Sequence, residues 1–176
     1  MEPLFSEGYY VSQRGDTILG EIQNNRPDET LLYHEFAFKK KGTTRARVMN
    51  TRLVRAYGFD GRDFVLVNSN GDKFFAERLV YGRLAFYEYQ FHGKVDGVPA
   101  VESAYFVRDT WEQTDEKAKE KVVSKISPKF YKKSLKPFMK DEQPMIWSDL
   151  DKFNFSKEGV VNAISEFNTY YNKKAN

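Results

Sequence analysis

The chain has 176 residues, which is enough for one domain with a hydrophobic core or for a domain with an appendage. It is 40% hydrophobic and 30% charged, and its formal net charge of +3 is too small to indicate a nucleic-acid partner. Because it contains no cysteine, disulfides, thiolate zinc sites and cysteine nucleophiles are excluded. Its high aromatic content of 16% favours a β-rich body.

The chain start, MEPLFSEGYY, has neither the basic nor the apolar region of a signal peptide. No segment approaches the roughly 18–20 apolar residues that a membrane-spanning helix needs. A cytoplasmic protein has this appearance, and so does an exported protein whose signal peptide has been removed. Composition leaves both locations open.

Residues 8–23 are predicted to form a β-hairpin, because apolar side chains alternate on both sides of a turn at 13–16. The turn contains Arg14-Gly15-Asp16, the tripeptide that integrin ligands display. Gly15 supplies the positive φ of a tight turn, and Asp16 is placed to bond the turn backbone. The stretch 65–77 repeats the pattern with Asn70 in place of Arg14, so we interpret the tripeptide as a turn.

Further strands follow, and Asp60-Gly61 is a two-residue hairpin signal between two of them. A loop is predicted at 92–100 before the last strand. In the strand 83–91, Leu84 and Phe86 face one way, while Tyr87, Tyr89 and Phe91 face the other. The predicted strands cover 31–39, 43–49, 53–59, 63–69, 73–81, 83–91 and 101–108.

The pattern changes from strands to helices after Asp109. Residues 110–126 have a helical composition, and a second helix is predicted over 128–141, ended or kinked by Pro137. In that helix Phe130, Leu135 and Phe138 are the expected apolar stripe.

The final helix has the clearest sequence signals. Ser156 is the expected N-cap, with Phe155 and Val160 spaced as a hydrophobic staple. Apolar residues then recur at helical spacing, and Asn168 and Asn172 are placed on the flanks. The predicted buried face consists of Val160, Ile164, Phe167 and Tyr171.

Strands first and helices last predict an α+β fold. We expect an antiparallel sheet or partly open barrel of about 7–9 strands over residues 1–109. The helical part, 110–176, is expected to pack on this β body as one compact unit.

Four stretches resemble an uncharacterised domain of Bacteroidota secreted and cell-envelope proteins. They are GYYVSQRGDTILGEI, FFAERLVYGRLAFYEY, FYKKSLKPFMKD and VVNAISEFNTYYN, and they occur in the order of that family. This chain departs from the family pattern after Asp141, where Glu142-Gln143-Pro144 stands in place of a frequent Cys-Pro.

This resemblance implies export and a location in the periplasm or near the outer membrane, since some family members carry a β-barrel after the domain. It implies a periplasmic or outer-membrane protein as partner. It implies no catalytic residues.

The residues themselves give no catalytic motif. His34 and His92 lie far apart and outside any metal-binding spacing, and the nucleophile-elbow and phosphate-loop patterns are absent. The acidic pairs Asp60/Asp63 and Asp149/Asp151 supply only part of a calcium loop and are interpreted as turns and a helix cap. We predict no enzymatic activity, metal or cofactor.

Two surfaces are candidates for binding. Residues 117–140 contain nine Lys and one acid, Glu120, a local charge of +8 that suits phosphates, anionic lipids or an acidic protein. The alternative interpretation is that these lysines only form a solvated helix face. The predicted interaction surface consists of Lys125, Lys129, Tyr131, Lys132, Lys133 and Lys136.

The second candidate is an aromatic cleft on the predicted strands, for sugars or lipids. The alternative interpretation is that these aromatic residues pack in the core. The predicted cleft residues are Tyr81, Phe86, Tyr87, Tyr89 and Phe91. We therefore expect a non-enzymatic protein-interaction module of the cell envelope, with a small-molecule or glycan-binding β-domain as the alternative.

Overall fold

The computed structural model describes residues 1–112, 120–150 and 154–174, with the side chains of 172–174 excepted. Within these residues there are eleven strands, three α-helices and two short 3-10 helices. The strands are β1 Phe5–Ser12, β2 Thr17–Gln23, β3 Glu35–Lys40, β4 Arg47–Asn50, β5 Val54–Phe59, β6 Arg62–Ser69, β7 Asp72–Val80, β8 Leu84–Val95, β9 Val98–Asp109, β10 Lys121–Val122 and β11 Ser124–Ile126. The 3-10 helices are Glu29–Tyr33 and Pro128–Phe130, and the α-helices are α1 Tyr131–Met139, α2 Pro144–Leu150 and α3 Lys157–Lys174.

The strands form an open, mostly antiparallel sheet, and all three α-helices lie in the C-terminal part of the chain. The order is β11-β9-β8-β7-β6-β5-β1-β2-β3-β4, with β10 paired to β6. The predicted α+β class is confirmed. The strand number is higher than the predicted 7–9, because two short strands, β10 and β11, follow β9.

Tight turns connect most neighbouring strands. Asp60-Gly61, Asn70-Gly71 and Asp96-Gly97 all have positive φ at both positions, as a two-residue hairpin turn demands. The first two turns follow the sequence prediction. The third turn does not follow the prediction. The sequence pattern predicts a loop over 92–100, but these residues form the end of β8, the Asp96-Gly97 turn and the start of β9.

The prediction of a strand over 31–39 is wrong for its first residues, which belong to the 3-10 helix Glu29–Tyr33. Asp28 caps this helix, because its carboxylate accepts hydrogen bonds from the Thr30 amide at 3.0 Å and the Thr30 hydroxyl at 2.6 Å. The cap turns the backbone away from an extended conformation while Leu32 and Tyr33 stay buried.

The predicted helix over 110–126 is wrong over its described C-terminal part. Ser124–Ile126 forms β11 and pairs antiparallel with Tyr105–Val107 of β9. Ile126 is fully buried there, so burial and sheet hydrogen bonds outweigh the helical composition of the lysine-rich stretch. Residues 110–112 are not helical either, and 113–119 lies outside the described residues.

The chain divides into two compact units. Unit 1 consists of Met1–Glu77, Tyr89–Ser103 and the described part of Lys117–Lys121. Unit 2 consists of Arg78–Glu88 and the described parts of Ala104–Glu116 and Val122–Asn176. Strands β7, β8 and β9 each contribute residues to both units, so the units do not follow one another along the chain.

Aromatic packing dominates the core of unit 1. Tyr57 stacks on Phe36 at 3.9 Å and on Phe64 at 4.7 Å between ring centroids, and Phe75 meets Tyr57 edge-on at 5.0 Å. The Tyr57 hydroxyl donates a hydrogen bond to the carbonyl of Leu32. Burial raises the pKa of Tyr57 well above its ordinary value. Aromatic side chains, which are abundant in the sequence, therefore fill much of this core.

The core of unit 2 joins one face of β7–β9 and β11 to the three helices. Strand residues Leu84, Phe86 and Ile126 are fully buried in it. The helices contribute their own apolar stripes, which are Tyr131, Leu135 and Met139 from α1, Leu150 from α2, and Val160, Ile164, Phe167 and Tyr171 from α3.

The sequence signals of α3 are confirmed. Ser156 Oγ accepts a hydrogen bond from the Gly159 amide at 3.0 Å, and both Phe155 and Val160 belong to the core of unit 2. The α1 stripe differs from the prediction. Phe130 is 57% exposed and Phe138 only partly buried, because the helix begins at Tyr131 and turns residues 131, 135 and 139 inward. Pro137 lies inside α1, which ends two residues later.

Candidate functional site

The first candidate site is the outward side of α1, which we call the lysine face and define as Lys133, Lys136 and Lys140. An α-helix turns about 100° per residue, so these three residues lie opposite the buried stripe of Tyr131, Leu135 and Met139. All three lysines are exposed. The local helical register therefore groups three ammonium groups on one side of unit 2.

No ion pair within the described residues includes a member of the lysine face, nor the exposed Lys125 or Lys129 that precede it. Lys140 Nζ lies 5.3 Å from the ring centroid of Trp147, on α2. Lys132, at the edge of the face, lies 5.8 Å from the same ring. Within the part of the chain that the structure describes, the ammonium groups of Lys133, Lys136 and Lys140 are therefore not paired with a carboxylate.

Tyr131, included in the predicted interaction surface, is 7% exposed and belongs to the core. Its hydroxyl donates a hydrogen bond of 2.5 Å to the Leu150 carbonyl at the end of α2, and burial raises its pKa. The exposed aromatic residue beside the lysines is instead Phe130. Met145, the second residue of α2, is 81% exposed.

The residues of the predicted aromatic cleft have mixed environments. Phe86 and Tyr87 are buried, and Phe86 stacks on Tyr105 at 5.6 Å between centroids. In unit 1, Tyr89 packs on Phe74 at 4.1 Å and on Phe91 at 5.7 Å. Tyr81 is exposed, with Arg78 4.1 Å from its ring. Phe86 and Tyr87 therefore serve as packing residues and offer no open surface to a ligand.

Both histidines contact the ends of the 3-10 helix Glu29–Tyr33. His92 Nε2 lies 2.8 Å from Asp28 Oδ2 at its start, and His34, the residue that ends it, lies 3.0 Å from the Tyr89 hydroxyl. Tyr89 and His92 are both on β8. These contacts hold the 3-10 helix against that strand within unit 1.

The acidic pairs form no cation site in the described residues. Asp60 accepts a hydrogen bond from Ser6 Oγ at 3.0 Å, and Asp63 accepts one from the Tyr9 hydroxyl. Asp149 is exposed, and Asp151 lies outside the described residues. No group of three or more described His, Asp or Glu side chains is arranged to hold a metal ion.

Arg83 is the centre of a polar cluster in unit 2 that the sequence did not reveal. Its guanidinium donates to both carboxylate oxygens of Glu142, one bond measuring 2.6 Å, and to Asp109 at 3.3 Å. The rings of Trp111 and Tyr171 lie 4.3 and 4.4 Å from the guanidinium carbon. Glu142 also accepts a hydrogen bond from the Tyr171 hydroxyl.

The charges of this cluster are paired in a way that stabilises the fold, although the buried Arg83 Nε has no hydrogen-bond partner among the described residues. The hydrogen bonds from Arg83 and then Tyr171 lower the pKa of Glu142, while burial and the bond to Glu142 raise the pKa of Tyr171. The cluster ties the segment between α1 and α2, the end of β9 and α3 to Arg83, which directly precedes β8. Its partners lie 26 and 59 residues from Arg83, so no local sequence pattern could identify them.

The Arg14-Gly15-Asp16 tripeptide forms the turn between β1 and β2. The Ser12 amide donates to the Asp16 carbonyl at 2.9 Å, and the Gly15 amide donates to the Ser12 carbonyl at 2.9 Å. The side-chain bond that supports the turn comes from Ser12 Oγ, which accepts from the Asp16 amide at 3.2 Å, and not from the Asp16 carboxylate as expected.

No family model, curated protein or solved structure matches this chain. Within the described residues, none of the helices combines the length and the apolar character required to cross a bilayer.

Proposed function

We propose that this protein is a non-enzymatic binding module whose lysine face docks on the acidic surface of a protein partner. The observation that carries the proposal is that Lys133, Lys136 and Lys140 are exposed together and form no ion pair with described residues. Such unbalanced charge steers association with a surface of opposite sign. Phe130, exposed at the start of the same segment, offers an aromatic contact of the kind enriched at interfaces.

A protein partner is favoured over a lipid surface because the apolar stripe of α1 is not available to insert into a membrane. An interfacial membrane helix buries its apolar face among the acyl chains. In this chain the stripe of Tyr131, Leu135 and Met139 is already buried in the core of unit 2. On the exposed side of α1, a membrane would meet the charge of the lysine face with Phe130 beside it, whereas an acidic protein surface can match the spacing of the three lysines.

The cell envelope is the compartment that we propose for this interaction. This proposal of a compartment is supported by the resemblance of the four sequence stretches given above to a Bacteroidota envelope domain. A periplasmic or outer-membrane protein is accordingly the proposed partner, and a cytoplasmic location is the alternative.

The first experiment is site-specific photo-crosslinking of the full chain in its native cells. A benzophenone side chain replaces Lys133 in one variant and Lys94, an exposed lysine of unit 1, in the matched control. We expect a reproducible protein adduct from position 133 and none from position 94. Equal adducts from both positions, or none from 133, would contradict the proposal.

Affinity for the captured partner then tests the charge mechanism. We expect the double variant Lys133→Gln/Lys136→Gln to bind about two- to fivefold more weakly per lysine removed, with a flatter dependence on salt. The control Lys41→Gln/Lys94→Gln removes the same charge from unit 1 and should bind as the wild type does. Equal binding of the two double variants, or retention on anionic vesicles without a protein partner, would overturn the protein-docking interpretation.

A further inference from the structure

A cavity of about 720 Å³ lies in unit 1, beside the hairpin that β3 and β4 form at one end of the strand order. Strands β1 to β4 and the loop 41–46 supply its lining. The volume is within the range of roughly 300–1,000 Å³ that is usual for small-molecule sites. We call it the hairpin cavity.

The floor of the hairpin cavity is apolar. Tyr10 and Ile18 are direct cross-strand partners on β1 and β2, so their side chains share one face of the sheet. Phe38 on β3 and Met49 on β4 complete the floor, each 5% exposed. The Tyr10 ring meets Phe38 edge-on at 4.8 Å between centroids. Tyr10 and Ile18 are only half-buried, so apolar surface is left for a ligand.

The rim of the cavity is cationic. Lys40, Arg45 and Arg47 line it, all are exposed, and no acidic side chain belongs to the lining. Arg47 is the cross-strand partner of Phe38, which places its side chain on the same face as the floor. None of the three cations forms an ion pair or side-chain hydrogen bond with the described residues.

We propose that the hairpin cavity binds a small apolar carboxylate, with its body on the floor and its carboxylate between Arg45 and Arg47. A guanidinium presents a planar fork of donors that matches a carboxylate, and such charge-assisted bonds are among the strongest in proteins. A neutral apolar ligand leaves the cations without a partner, and an inorganic anion leaves the floor uncovered. This site is independent of the lysine face and of its partner.

Calorimetric titration of the full-length protein with decanoate and with 1-naphthoate tests the proposal, the two probes distinguishing an alkyl chain from an aromatic body. We expect saturable binding of at least one of them at one site. Decanol, which keeps the chain and lacks the charge, should bind at least tenfold more weakly, and inorganic phosphate should not compete. No saturable binding of either carboxylate, or equal binding of decanol, would overturn the proposal.

Two variants locate the site. Arg45→Gln/Arg47→Gln should weaken carboxylate binding about tenfold or more, since each charge-assisted hydrogen bond is worth more than a neutral one. Ala46→Trp, which adds an indole to the lining, should block carboxylate and decanol alike. The matched control Lys133→Gln/Lys136→Gln removes two charges from unit 2 and should bind as the wild type does. Unchanged affinity in the arginine variant would place the carboxylate elsewhere and contradict the assignment.

Discussion

Gly15 shows how a single residue sets the first hairpin. Its φ is +96°, in the region that favours glycine, and a Cβ built there would lie 2.4 Å from Arg55 Nη2. That contact is with the far end of the flexible Arg55 side chain, whereas the backbone conformation of Gly15 is imposed by the turn. The conformation of Gly15, rather than the identity of Arg14, therefore decides the turn.

We expect Gly15→Val to lower the free energy of unfolding by about 1–3 kcal/mol, because a β-branched residue tolerates positive φ badly. Urea unfolding measures this loss. Arg14→Lys, at an exposed position of the same turn, should leave the transition unchanged. A comparable loss of stability in both variants would mean that Arg14 has a structural role that the geometry of the turn does not explain.

Asn168 is the polar residue whose role the sequence pattern missed. The helical spacing predicts a position on the flank of the last helix, whereas Asn168 is only 3% exposed. Its side-chain oxygen accepts from the Leu84 amide at 2.8 Å, and its amide donates to the carbonyls of Leu84 at 2.8 Å and Tyr81 at 3.1 Å. This side chain satisfies the backbone at the start of β8, next to Gly82.

Asn168→Leu keeps the approximate volume and removes all three hydrogen bonds. We expect a loss of about 1–3 kcal/mol for each buried backbone group left without a partner, measured by thermal or urea unfolding. Asn162→Leu, at an exposed position of the same helix, is the control and should change stability little. If the two variants were equally stable, solvent would have to replace the lost bonds.

At the scale of elements, caps and turns follow from local chemistry. Ser156 and Asp28 bond the first turns of their helices, and three two-residue turns have the residues that positive φ demands. The Asp96-Gly97 turn carries the same Asp-Gly signal as Asp60-Gly61, so this signal by itself predicts a hairpin turn in place of a loop.

The Asp28 cap predicts a pH dependence. The hydrogen bond from the Thr30 side chain, then that from His92, lowers the pKa of Asp28 from 3.8 to about 2. A carboxyl whose pKa is lower in the folded state stabilises the fold above the unfolded pKa, and this stabilisation is lost as pH falls from about 4 to about 2.

We therefore expect the difference in melting temperature between the wild type and Asp28→Asn to shrink as pH falls through that window. Thermal unfolding at a series of pH values measures it. Asp16→Asn, which removes an exposed carboxylate from the first turn, is the control and should show no comparable narrowing. A difference for Asp28→Asn that is constant with pH would show that the carboxylate charge does not contribute.

At the scale of the whole molecule, the core of unit 2 is built from distant segments. The strand residues Val80, Leu84 and Phe86 are buried there with helical residues more than forty positions later in the chain. A chain truncated after Asp109 would leave that apolar strand face uncovered. Contiguous exposed patches of this kind promote association.

We expect residues 1–109 alone to aggregate or to bind a hydrophobic dye strongly, as judged by size-exclusion chromatography and fluorescence. Co-expression with residues 110–176 should restore solubility, because the second fragment supplies the three helices. A soluble, cooperatively folded 1–109 fragment would show that the β segment does not depend on the helical part.

The sequence by itself determined the α+β class, most of the strands, the hairpin turns and the buried face of α3, because alternation, helical spacing and cap chemistry act within a few residues. Tertiary structure decided that 124–126 pairs with β9, that Asn168 is buried, and that Arg83 meets Asp109 and Glu142. It also decided which lysines form no ion pair within the described residues and where Arg45 and Arg47 border an apolar floor. These features depend on the proximity of residues far apart in the chain, and that proximity arises only when strands pair and apolar surfaces pack.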